Sequence, residues 1–573
     1  MPTRAEIESQ LTGPGGPFEI AEEDVDGVFT RMYQRRLPSL RAIPQLAAAR
    51  SDQIYLVHGP RQVTFGEFVG QANGLSGALA DRGVTHGDRV AVLSANNPEW
   101  VLTFWGVVDI GAVLVGLNGW WKTDEILYGL ADSGARVLVA DRGRFTRIAG
   151  SLGDLPELEH IYLIDADPAE FGNDRRLHSF ADLIAESAPE PPAVEIAESD
   201  PAVIFYTSGT TGRPKGAVST HRSMIANLQN TMYNAIANMM LADVAPGSAS
   251  GRQTSSLMSS PLFHVSGCHS GVVVGLAGGA KTVMIEGRFD PEKAMQLIEE
   301  EQISVWGAVP TMVWRVVEHP RRHEYDLSSV TTVAYGGSPS AGELQRRVRE
   351  TFPNVRTMGN VYGLTESSSA ATIISGQEFI DRPNSVGRPL PVVELRVVDP
   401  ADPAGAPVEA GRIGEVWIKG PIVMPGYWGK PEATAETITD GWLHTGDLGY
   451  LDAEGYLYIT DRAKDMIIRG GENVYCVEIE NRLVEHPAIA EAAVIGVPHP
   501  TLGEEVKAVV RLEPDAGTVS VADVQGWVAE TLADFKVPAY VEFTAEDLPR
   551  NPSGKLLKNV LRGEGEVSFA ETL

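Results

Sequence analysis

Apolar residues follow two different periods along the first 200 residues of this chain. Short apolar runs predict buried strands, and longer stretches with apolar positions three and four residues apart predict helices. Strands that alternate with helices in this way are typical of a parallel sheet with helices on its faces. The predicted strands are 89–93, 137–140 and 160–163, and the predicted helices are 65–83, 98–111 and 123–134.

A second series of strands and helices follows a connector over 186–195 that is rich in Pro, Ala and Glu. Its first strand precedes a helix that begins at His221. We expect these strands to form a second sheet of the same α/β type. The predicted strands of this series are 203–206, 281–285, 305–309, 331–335 and 356–362.

The pattern changes again after residue 387. Short apolar runs separated by Gly and Pro turns predict a small β-barrel near 387–460. After Arg462 the predicted elements are a helix over 476–485, strands over 489–496 and 505–512, and a helix over 521–532. The fold class is therefore α/β, with two βα-layered sheets and a barrel in a large N-terminal part and a small α+β part at the C-terminal end.

Composition narrows the classes of function. The chain has 573 residues and a net charge of −29, which argues against nonspecific binding to nucleic acid or to anionic lipid surfaces. Cys268 and Cys476 are its only cysteines, which excludes a disulfide framework. The first residues contain no apolar segment typical of a signal peptide, so we expect a cytoplasmic protein.

One apolar stretch is long enough to span a bilayer. Residues 100–121 are nearly all apolar, but Asp109 lies near their centre and Gly111 interrupts them. We therefore predict a buried helix followed by a buried strand over 112–117, with no integral membrane segment.

The stretch 206–216, YTSGTTGRPKG, combines hydroxyl donors, glycines and two cations. Glycines allow a positive φ and a close approach of the backbone to a ligand, and backbone and hydroxyl donors bind anionic oxygens. Arg213 and Lys215 add positive charge at the far end. The loop follows a predicted buried strand, which is where α/β sheets bind ligands. Because no Gly-Lys-Ser/Thr occurs in it, it is not a Walker A loop, and we predict that it binds a polyphosphate.

Together with the motifs that follow it, this loop resembles the phosphate-binding motif of the adenylate-forming superfamily. That superfamily includes acyl-CoA synthetases, aryl-CoA ligases, beetle luciferases and the adenylation domains of peptide synthetases. The resemblance extends over about the whole chain. The other motifs that carry it are YGGSP at 335–339, NVYGLTE at 360–366, WLHTGDL at 442–448, DRAKD at 461–465 and PRNPSGK at 549–555.

The resemblance implies a two-step reaction. A carboxylate attacks the α-phosphorus of ATP to give acyl-AMP and pyrophosphate, and a thiol then takes the acyl group. ATP, Mg²⁺ and coenzyme A are the implied cofactors. Because a carboxylate is a weak nucleophile that meets an anion, catalysis must come mainly from alignment and charge neutralisation.

The resemblance also assigns roles to residues. Glu366 is implied as the Mg²⁺ ligand and Thr365 as the contact to an α-phosphate oxygen. Tyr362 would stack on adenine, and Asn360 would bond to the adenine edge. The remaining residues implied at the phosphates and the adenine are Thr207, Ser208, Gly209, Thr210, Thr211, Gly212, Lys215, Gly337, Ser338, Pro339 and Gly363.

The C-terminal motifs imply a moving domain. Asp447 would bind the ribose hydroxyls with the help of Arg462. Lys555 would reach the α-phosphate and the attacking carboxylate in the first step. A small domain, 463–573, would then rotate against the large domain, 1–462, at a hinge near Lys464. After that rotation Gly470 and Gly471 would line the tunnel for the pantetheine arm of CoA.

His264 separates branches of the superfamily. Amino-acid adenylating domains typically place an aspartate near this position to hold the substrate ammonium group, and acyl- and aryl-CoA ligases resemble the histidine-bearing version found here. We also expect no carrier domain after Lys555. We group His264 with the catalytic residues as part of the pocket wall, and we expect a free-standing ligase for an acid without an amino group.

The leading function is therefore ATP-dependent activation of a medium- or long-chain fatty acid, or of a bulky hydrophobic acid, and transfer to CoA. The alternatives are an acyl-AMP ligase that loads a carrier protein, an aryl- or steroid-acid CoA ligase, and a noncatalytic nucleotide-binding scaffold. The expected partners are the small-molecule acid, ATP and CoA, with no nucleic acid. The sequence leaves a homodimer open.

Overall fold

The computed structural model describes most of the chain. The described residues are 2–185, 191–207, 213–243, 252–336, 342–402, 405–470, 472–513, 516–551 and 554–564.

The helices include one irregular run: α9, a π-helical turn over Cys268–Val273 and α10 follow one another without a break. The α-helices are α1 (Arg4–Thr12), α2 (Ile43–Leu46), α3 (Phe65–Asp81), α4 (Pro98–Asp109), α5 (Thr123–Ser133), α6 (Arg142–Phe145), α7 (Phe180–Ala185), α8 (His221–Leu241), α9 (Val265–Gly267), α10 (Val274–Gly278), α11 (Pro291–Glu300), α12 (Pro310–Val317), α13 (Gly342–Thr351), α14 (Gln377–Asp381), α15 (Pro431–Thr437), α16 (Cys476–Val484), α17 (Val521–Ala529) and α18 (Lys558–Leu561). The 3-10 turns are Leu40–Ala42, Ala47–Arg50, Ala149–Asp154, Pro168–Phe171, Arg322–Glu324, Thr365–Ser367 and Asp534–Lys536.

Within the described ranges, the strands form five sheets. They are β1 (Ile20–Val25), β2 (Val28–Tyr33), β3 (Ile54–His58), β4 (Arg61–Thr64), β5 (Arg89–Leu93), β6 (Val113–Gly116), β7 (Val137–Asp141), β8 (His160–Ile164), β9 (Leu177–Ser179), β10 (Pro201–Thr207), β11 (Lys215–Thr220), β12 (Ser255–Met258), β13 (Lys281–Met284), β14 (Val305–Ala308), β15 (Thr332–Gly336), β16 (Thr357–Tyr362), β17 (Thr372–Ser375), β18 (Arg388–Pro389), β19 (Glu394–Val398), β20 (Gly414–Lys419), β21 (Ile438–Thr439), β22 (Trp442–Leu451), β23 (Leu457–Arg462), β24 (Ile467–Arg469), β25 (Glu472–Val474), β26 (Ile489–His499), β27 (Gly503–Leu512) and β28 (Tyr540–Thr544).

Two large sheets carry the fold, as expected for the α/β class. The seven-stranded sheet has the order β11-β10-β6-β5-β7-β8-β9, and the nine-stranded sheet has the order β18-β17-β16-β15-β14-β12-β13-β3-β4. The first series of predicted strands and helices is confirmed within a few residues, and β5 has the predicted bounds.

One strand was assigned to the wrong sheet. The sequence placed 203–206 at the start of the second series, but β10 pairs in parallel with β6 of the first sheet and antiparallel with β11. Strand formation depends on local apolar pattern, whereas the partner of a strand depends on contacts that are distant in sequence. Of the strands before residue 387, the sequence did not predict β1, β2, β3, β4, β9, β11, β12 and β17.

A shared layer of helices lies between the two large sheets. The side chains of β5 alternate between two cores: Val90 and Val92 belong to the core with α3 and α4, and Ala91 and Leu93 belong to the core on the opposite face. The first core also contains residues of the nine-stranded sheet, such as Leu56. The sheets are therefore buried on both faces, which explains their continuous apolar strands.

Local signals in the sequence explain where these helices begin. Thr64 and Glu67 form a capping box at the start of α3, with reciprocal backbone bonds of 2.9 and 3.2 Å. Asn97 accepts the N–H of Trp100 at the start of α4, and Pro98 occupies the first turn. The predicted apolar helix and strand of 100–121 are confirmed, and Asp109 is buried beside Arg41, 3.2 Å away.

Three smaller sheets complete the described part of the chain, and the first of them is the antiparallel pair of β1 and β2. The segment predicted as a barrel forms a five-stranded antiparallel sheet of β19 to β23. The C-terminal α+β part has its own sheet of β24 to β28 and its own core, which includes Ile467 and Val506. Among the described residues, no helix is both long enough and apolar enough to cross a membrane.

Trp306 offers a test of the core beneath the nine-stranded sheet. Its side chain is fully buried, its Nε1–H donates to Ser259 Oγ at 3.1 Å, and its ring meets Phe352 edge-on. We expect Trp306→Ala to lower the free energy of unfolding by about 3–5 kcal/mol, measured from the shift in the urea midpoint. Trp442→Ala, which removes a partly exposed ring beneath Arg396, should cost about 1 kcal/mol. Equal losses would contradict this packing.

Candidate active site

The predicted phosphate loop connects two antiparallel strands. β10 ends at Thr207 and β11 begins at Lys215, and these two residues pair across the ladder. The Thr207 hydroxyl donates to the Lys215 carbonyl at 3.4 Å, which closes the base of the loop. The predicted loop residues Ser208, Gly209, Thr210, Thr211 and Gly212 lie outside the described residues.

The predicted adenine-side residues lie on neighbouring parallel strands. In the register of β15 and β16, Tyr335 faces Asn360 and Gly336 faces Val361. A Cβ on Gly336 would lie 2.5 Å from the Val361 carbonyl oxygen, so only glycine fits this close approach. The turn residues Gly337, Ser338 and Pro339 lie outside the described residues.

The motif with Thr365 and Glu366 forms a tight turn after β16. Both residues lie in the 3-10 turn over Thr365–Ser367. A Cβ on Gly363 would lie 1.6 Å from the Ser369 carbonyl oxygen, so the turn requires glycine there. One oxygen of Glu366, Oε1, accepts the hydroxyl of Tyr427 at 2.9 Å.

Two serines after this turn have left-handed backbones. Ser368 has φ 49° and Ser369 has φ 108°, conformations that non-glycine residues rarely adopt. The Ser368 hydroxyl donates to Ser223 Oγ at 2.9 Å, and the hydroxyls of Ser369 and Ser270 lie 2.7 Å apart. These bonds attach the turn to α8 and to the π-helical turn that follows His264.

Asp447 joins the predicted ribose and adenine residues. It is buried, and its Oδ2 accepts the Tyr362 hydroxyl at 2.9 Å. Its Oδ1 lies 3.0 Å from Nε of Arg462, which faces it across the ladder of β22 and β23. Each carboxylate oxygen can accept a second hydrogen bond, so the group retains capacity for two adjacent hydroxyls.

Lys555 lies near the nucleotide-side residues. The carbonyl of the preceding Gly554 accepts the Thr311 hydroxyl at 3.3 Å, and a Cβ on Gly554 would lie 2.8 Å from both Thr311 Oγ1 and Val309 Cγ2. Burial is the main cause that lowers the pKa of the Lys555 amine to about 7, and the cation of Arg462 lowers it further, against the opposing charge of Asp447. The chain therefore has the C-terminal lysine docked against the large part of the protein.

Of the residues predicted for the thiol step and the hinge, Gly470 bonds within the C-terminal sheet and Lys464 lies within the electrostatic influence of Asp447 and Arg462. Gly470 lies at the turn between β24 and β25 with φ 60°, and its N–H donates to the Leu502 carbonyl. The neighbouring Arg469 pairs with Glu505 of the same sheet. Lys464 is exposed by its accessible surface, and partial desolvation of its amine is the main cause that lowers its pKa. Gly471 lies outside the described residues.

His264 stands at the start of the helical run that begins with α9. Its carbonyl accepts the N–H of Cys268 at 2.9 Å, and its ring lies 4.7 Å from that of Phe263. Its Nε2 is enclosed and has no hydrogen-bond partner among the described residues. Burial lowers its pKa to about 4, so the imidazole is neutral at pH 7.

Two family models match this chain. The model of the AMP-binding enzyme matches residues 44–428, and the model of the AMP-binding enzyme C-terminal domain matches residues 478–555. The chain belongs to the AMP-binding enzymes. It is an AMP-forming acid–CoA ligase of their acyl-CoA synthetase branch, and it uses ATP and CoA. The predicted superfamily and enzyme class are confirmed, and the scaffold alternative is set aside.

Relatives of this ligase act on several kinds of acid. It is 36% identical to a feruloyl-CoA synthase of Amycolatopsis sp, with 88% of this chain and 94% of the relative covered. It is 35% identical to 3-[(3aS,4S,7aS)-7a-methyl-1,5-dioxo-octahydro-1H-inden-4-yl]propanoyl:CoA ligase of Rhodococcus jostii (strain RHA1), with 91% and 98% covered. It is 33% identical to the long-chain-fatty-acid–CoA ligase FadD13 of Mycobacterium tuberculosis (strain ATCC 25618 / H37Rv), with 87% and 93% covered.

A solved structure has the same architecture. The anthranilate CoA ligase AuaEII, in complex with anthranoyl-AMP, superimposes with a TM-score of 0.82 at 28% identity, and the match covers 92% of this chain and 97% of that chain. The overall fold of this ligase is therefore that of an adenylate-forming enzyme.

The residues around Glu366 fit a magnesium ion held mainly by phosphates. Among the described residues, no group of three or more His, Cys, Asp and Glu side chains is arranged to hold a metal. Mg²⁺ commonly takes one or two carboxylates, and substrate phosphates and water supply its remaining ligands. A single carboxylate at Glu366, next to the Thr365 hydroxyl, matches that donor set.

The sequence did not predict the long-range contacts made by the residues near Tyr427. This residue contacts Glu366, and Lys430 pairs with Asp132 at 2.7 Å. The sequence shows only Gly426-Tyr427-Trp428 between two predicted strands, which is typical of an ordinary turn. The contacts join residues 61 and 298 positions apart, so no local pattern could have indicated them.

The pKa of Lys555 predicts a pH dependence of the first step. If the amine neutralises developing charge, only its protonated form is competent, and that fraction falls as the pH rises through about 7. We expect kcat/KM for ATP in acyl-AMP formation to fall above pH 7, measured as pyrophosphate release between pH 6 and 9.

The matched variant is Lys555→Arg. The guanidinium remains charged throughout this range, so the variant should be slower at pH 7 but should lose the alkaline decline. A decline that persists unchanged in Lys555→Arg would show that another group titrates.

Proposed function

We propose that this ligase activates a hydrophobic carboxylic acid, either a medium- or long-chain fatty acid or a bulky ring acid, and passes it to CoA. One observation carries the assignment of the first step. The Lys555 amine lies within the electrostatic influence of Asp447 and Arg462, and Asp447 accepts the hydroxyl of Tyr362, the last residue of β16. Three distant parts of the chain thus meet where the nucleotide is expected.

The roles follow from charge and position. The acid's carboxylate oxygen forms a bond to the α-phosphorus while the bond to pyrophosphate breaks, so negative charge accumulates between two anions. Lys555 and Lys215 supply cations against that charge. Asp447 and Tyr362 orient the nucleoside, because their mutual hydrogen bond holds both side chains in place. Mg²⁺, held by Glu366, would polarise the phosphate oxygens.

The wall near His264 supports a hydrophobic substrate. Phe263 packs between Trp120, whose ring centroid is 5.2 Å away, and the neutral ring of His264. Arg144 lies over Trp120, but its charge is paired with Asp141 at 2.6 Å. A second carboxylate on the substrate would therefore find no unpaired cation among these side chains.

The relatives support hydrophobic carboxylic acids as the substrate class, and the individual acid is a question for experiment. Their names specify a ferulic acid derivative, a bicyclic propanoate and long-chain fatty acids. The aromatic pair Trp120 and Phe263 favours an aryl acid as the second candidate, because aromatic rings stack on one another. The relatives also favour CoA over a carrier protein as the acceptor.

The second step requires the small domain to move. With Lys555 docked, the loop at Gly554 contacts Thr311, while Gly470 bonds within its own sheet. We propose that rotation near Lys464 withdraws Lys555 and brings the turn at Gly470 to the site, where the CoA thiolate attacks the acyl carbon and AMP leaves.

An acid panel tests the function. Purified ligase should release pyrophosphate with C8–C18 fatty acids or with ring acids such as ferulic and steroid-side-chain acids, and should form thioester only when CoA is added. Acetate and dicarboxylates should be poorer substrates by at least about tenfold in kcat/KM, because burying extra charge without a partner is costly. Silence with every acid, in both the pyrophosphate and the hydroxamate assay, would refute the proposal.

Lys464→Pro separates the two steps. Proline restricts the backbone rotation that the hinge requires, so acyl-AMP formation should stay within about threefold of wild type while thioester formation falls by more than about tenfold. The matched variant is Lys464→Ala, which keeps backbone freedom and should retain both steps. Proline at a lysine within a strand, such as Lys419→Pro, is not a suitable control because it breaks the strand. Equal loss of both steps in Lys464→Pro would contradict the hinge.

A further inference from the structure

A short segment of the chain, 424–430, lies along the strand that follows the phosphate loop. The N–H of Val218 donates to the Gly426 carbonyl at 3.2 Å, and the N–H of Trp428 donates to the Gly216 carbonyl at 2.7 Å. Between them, Tyr427 faces Ala217 in an antiparallel bridge. The 424–430 segment therefore extends the seven-stranded sheet beyond β11, next to the end of the loop.

Tyr427 contacts two residues of the predicted phosphate site. Its hydroxyl donates to Glu366 Oε1 at 2.9 Å, and the Nζ of Lys215 lies over its ring, 5.2 Å from the centroid. The N–H of Met424 donates to the backbone carbonyl of the same Glu366 at 2.9 Å. One segment thus bonds to both the side chain and the backbone of the predicted metal ligand, and touches the predicted phosphate cation.

The far end of the segment is also held. Lys430 Nζ lies 2.7 Å from Oδ1 of Asp132, whose side chain is nearly fully buried. Asp132 also accepts the hydroxyl of Tyr206 at 3.0 Å and that of Tyr128 at 3.1 Å. Tyr206 directly precedes Thr207 at the start of the loop, so the carboxylate links the segment to the strand that enters the loop.

Glu366 needs such support. A glutamate side chain has three rotatable bonds, and a metal ligand that is free to rotate loses affinity through the entropy of ordering it. Partners outside the direct ligands commonly fix the orientation of metal-binding carboxylates. The tyrosine ring is itself rigid, and the 424–430 segment holds it at both ends.

We propose that Tyr427 is a positioning residue of this ligase, which orients the Glu366 carboxylate toward Mg·ATP and holds it in register with Lys215. This inference rests on the proposed role of Glu366 in metal binding. An alternative is that Tyr427 only packs, with Glu366 as a convenient hydrogen-bond acceptor. The two differ in one respect: a positioning residue matters when the metal is present, and a packing residue matters with or without it.

The test measures ATP binding by calorimetry, once with Mg²⁺ and once with EDTA. Tyr427→Phe keeps the ring and removes only the hydroxyl. We expect its Kd for Mg·ATP to rise about tenfold and its Kd for metal-free ATP to change less than twofold. The KM for Mg·ATP in acyl-AMP formation should rise in parallel, with a smaller change in kcat.

Tyr458→Phe is the matched control. It removes another tyrosine hydroxyl that bonds to a carboxylate, Asp452, at 3.3 Å in the five-stranded sheet. It should leave both dissociation constants within twofold of wild type. Thermal unfolding of both variants shows whether either change acts through stability.

A double-mutant cycle identifies the residue through which Tyr427 acts. Glu366→Gln should itself weaken Mg·ATP binding, and in that background Tyr427→Phe should add less than a twofold loss. An unchanged Kd for Mg·ATP, an equal loss with and without Mg²⁺, or a full additional loss in Glu366→Gln would each overturn the inference. Failure of the proposed function is distinguishable, because the wild type would then bind Mg·ATP and form no acyl-AMP with any acid.

Discussion

The buried carboxylate of Asp447 connects three parts of the molecule that are distant in sequence. Tyr362, at the end of a strand of the nine-stranded sheet, donates its hydroxyl to it, and Arg462, on the neighbouring strand of the five-stranded sheet, pairs with it. Its charge also acts on the amine of Lys555 in the C-terminal part. Because a buried carboxylate is costly unless it is paired, these contacts constrain how the three parts meet.

The meeting of these three parts at Asp447 explains how an acidic protein can bind a polyanion. With a net charge of −29, the chain as a whole repels ATP at long range, so binding depends on a few cations placed at short distance. Lys215, Arg462 and Lys555 come from three separate segments. Burial, with a further contribution from the cation of Arg462, lowers the pKa of Lys555, and arriving phosphates would relieve the repulsion between these two cations.

The acyl side and the phosphate side of the site are physically connected. Ser368 and Ser369 follow the turn that holds Glu366, and their left-handed backbones aim hydroxyls at α8 and at Ser270 of the π-helical turn. That turn belongs to the same helical run that His264 begins. The helical run at His264 and the turn that holds Glu366 are therefore joined by the hydrogen bond between Ser270 and Ser369.

The sequence by itself determined the structural features that depend on residues close together in the chain. The strand Arg89–Leu93, the helix that begins at Pro98, the glycines at Gly336 and Gly363, and the motifs that indicate the adenylate-forming family are all local patterns. Only the tertiary structure decided that β10 joins the first sheet, that β3 and β4 complete the second, and that Tyr427 reaches Glu366. The physical reason is range: apolar periodicity and turn chemistry act over a few residues, whereas strand partners and buried hydrogen bonds are chosen among segments tens to hundreds of residues apart.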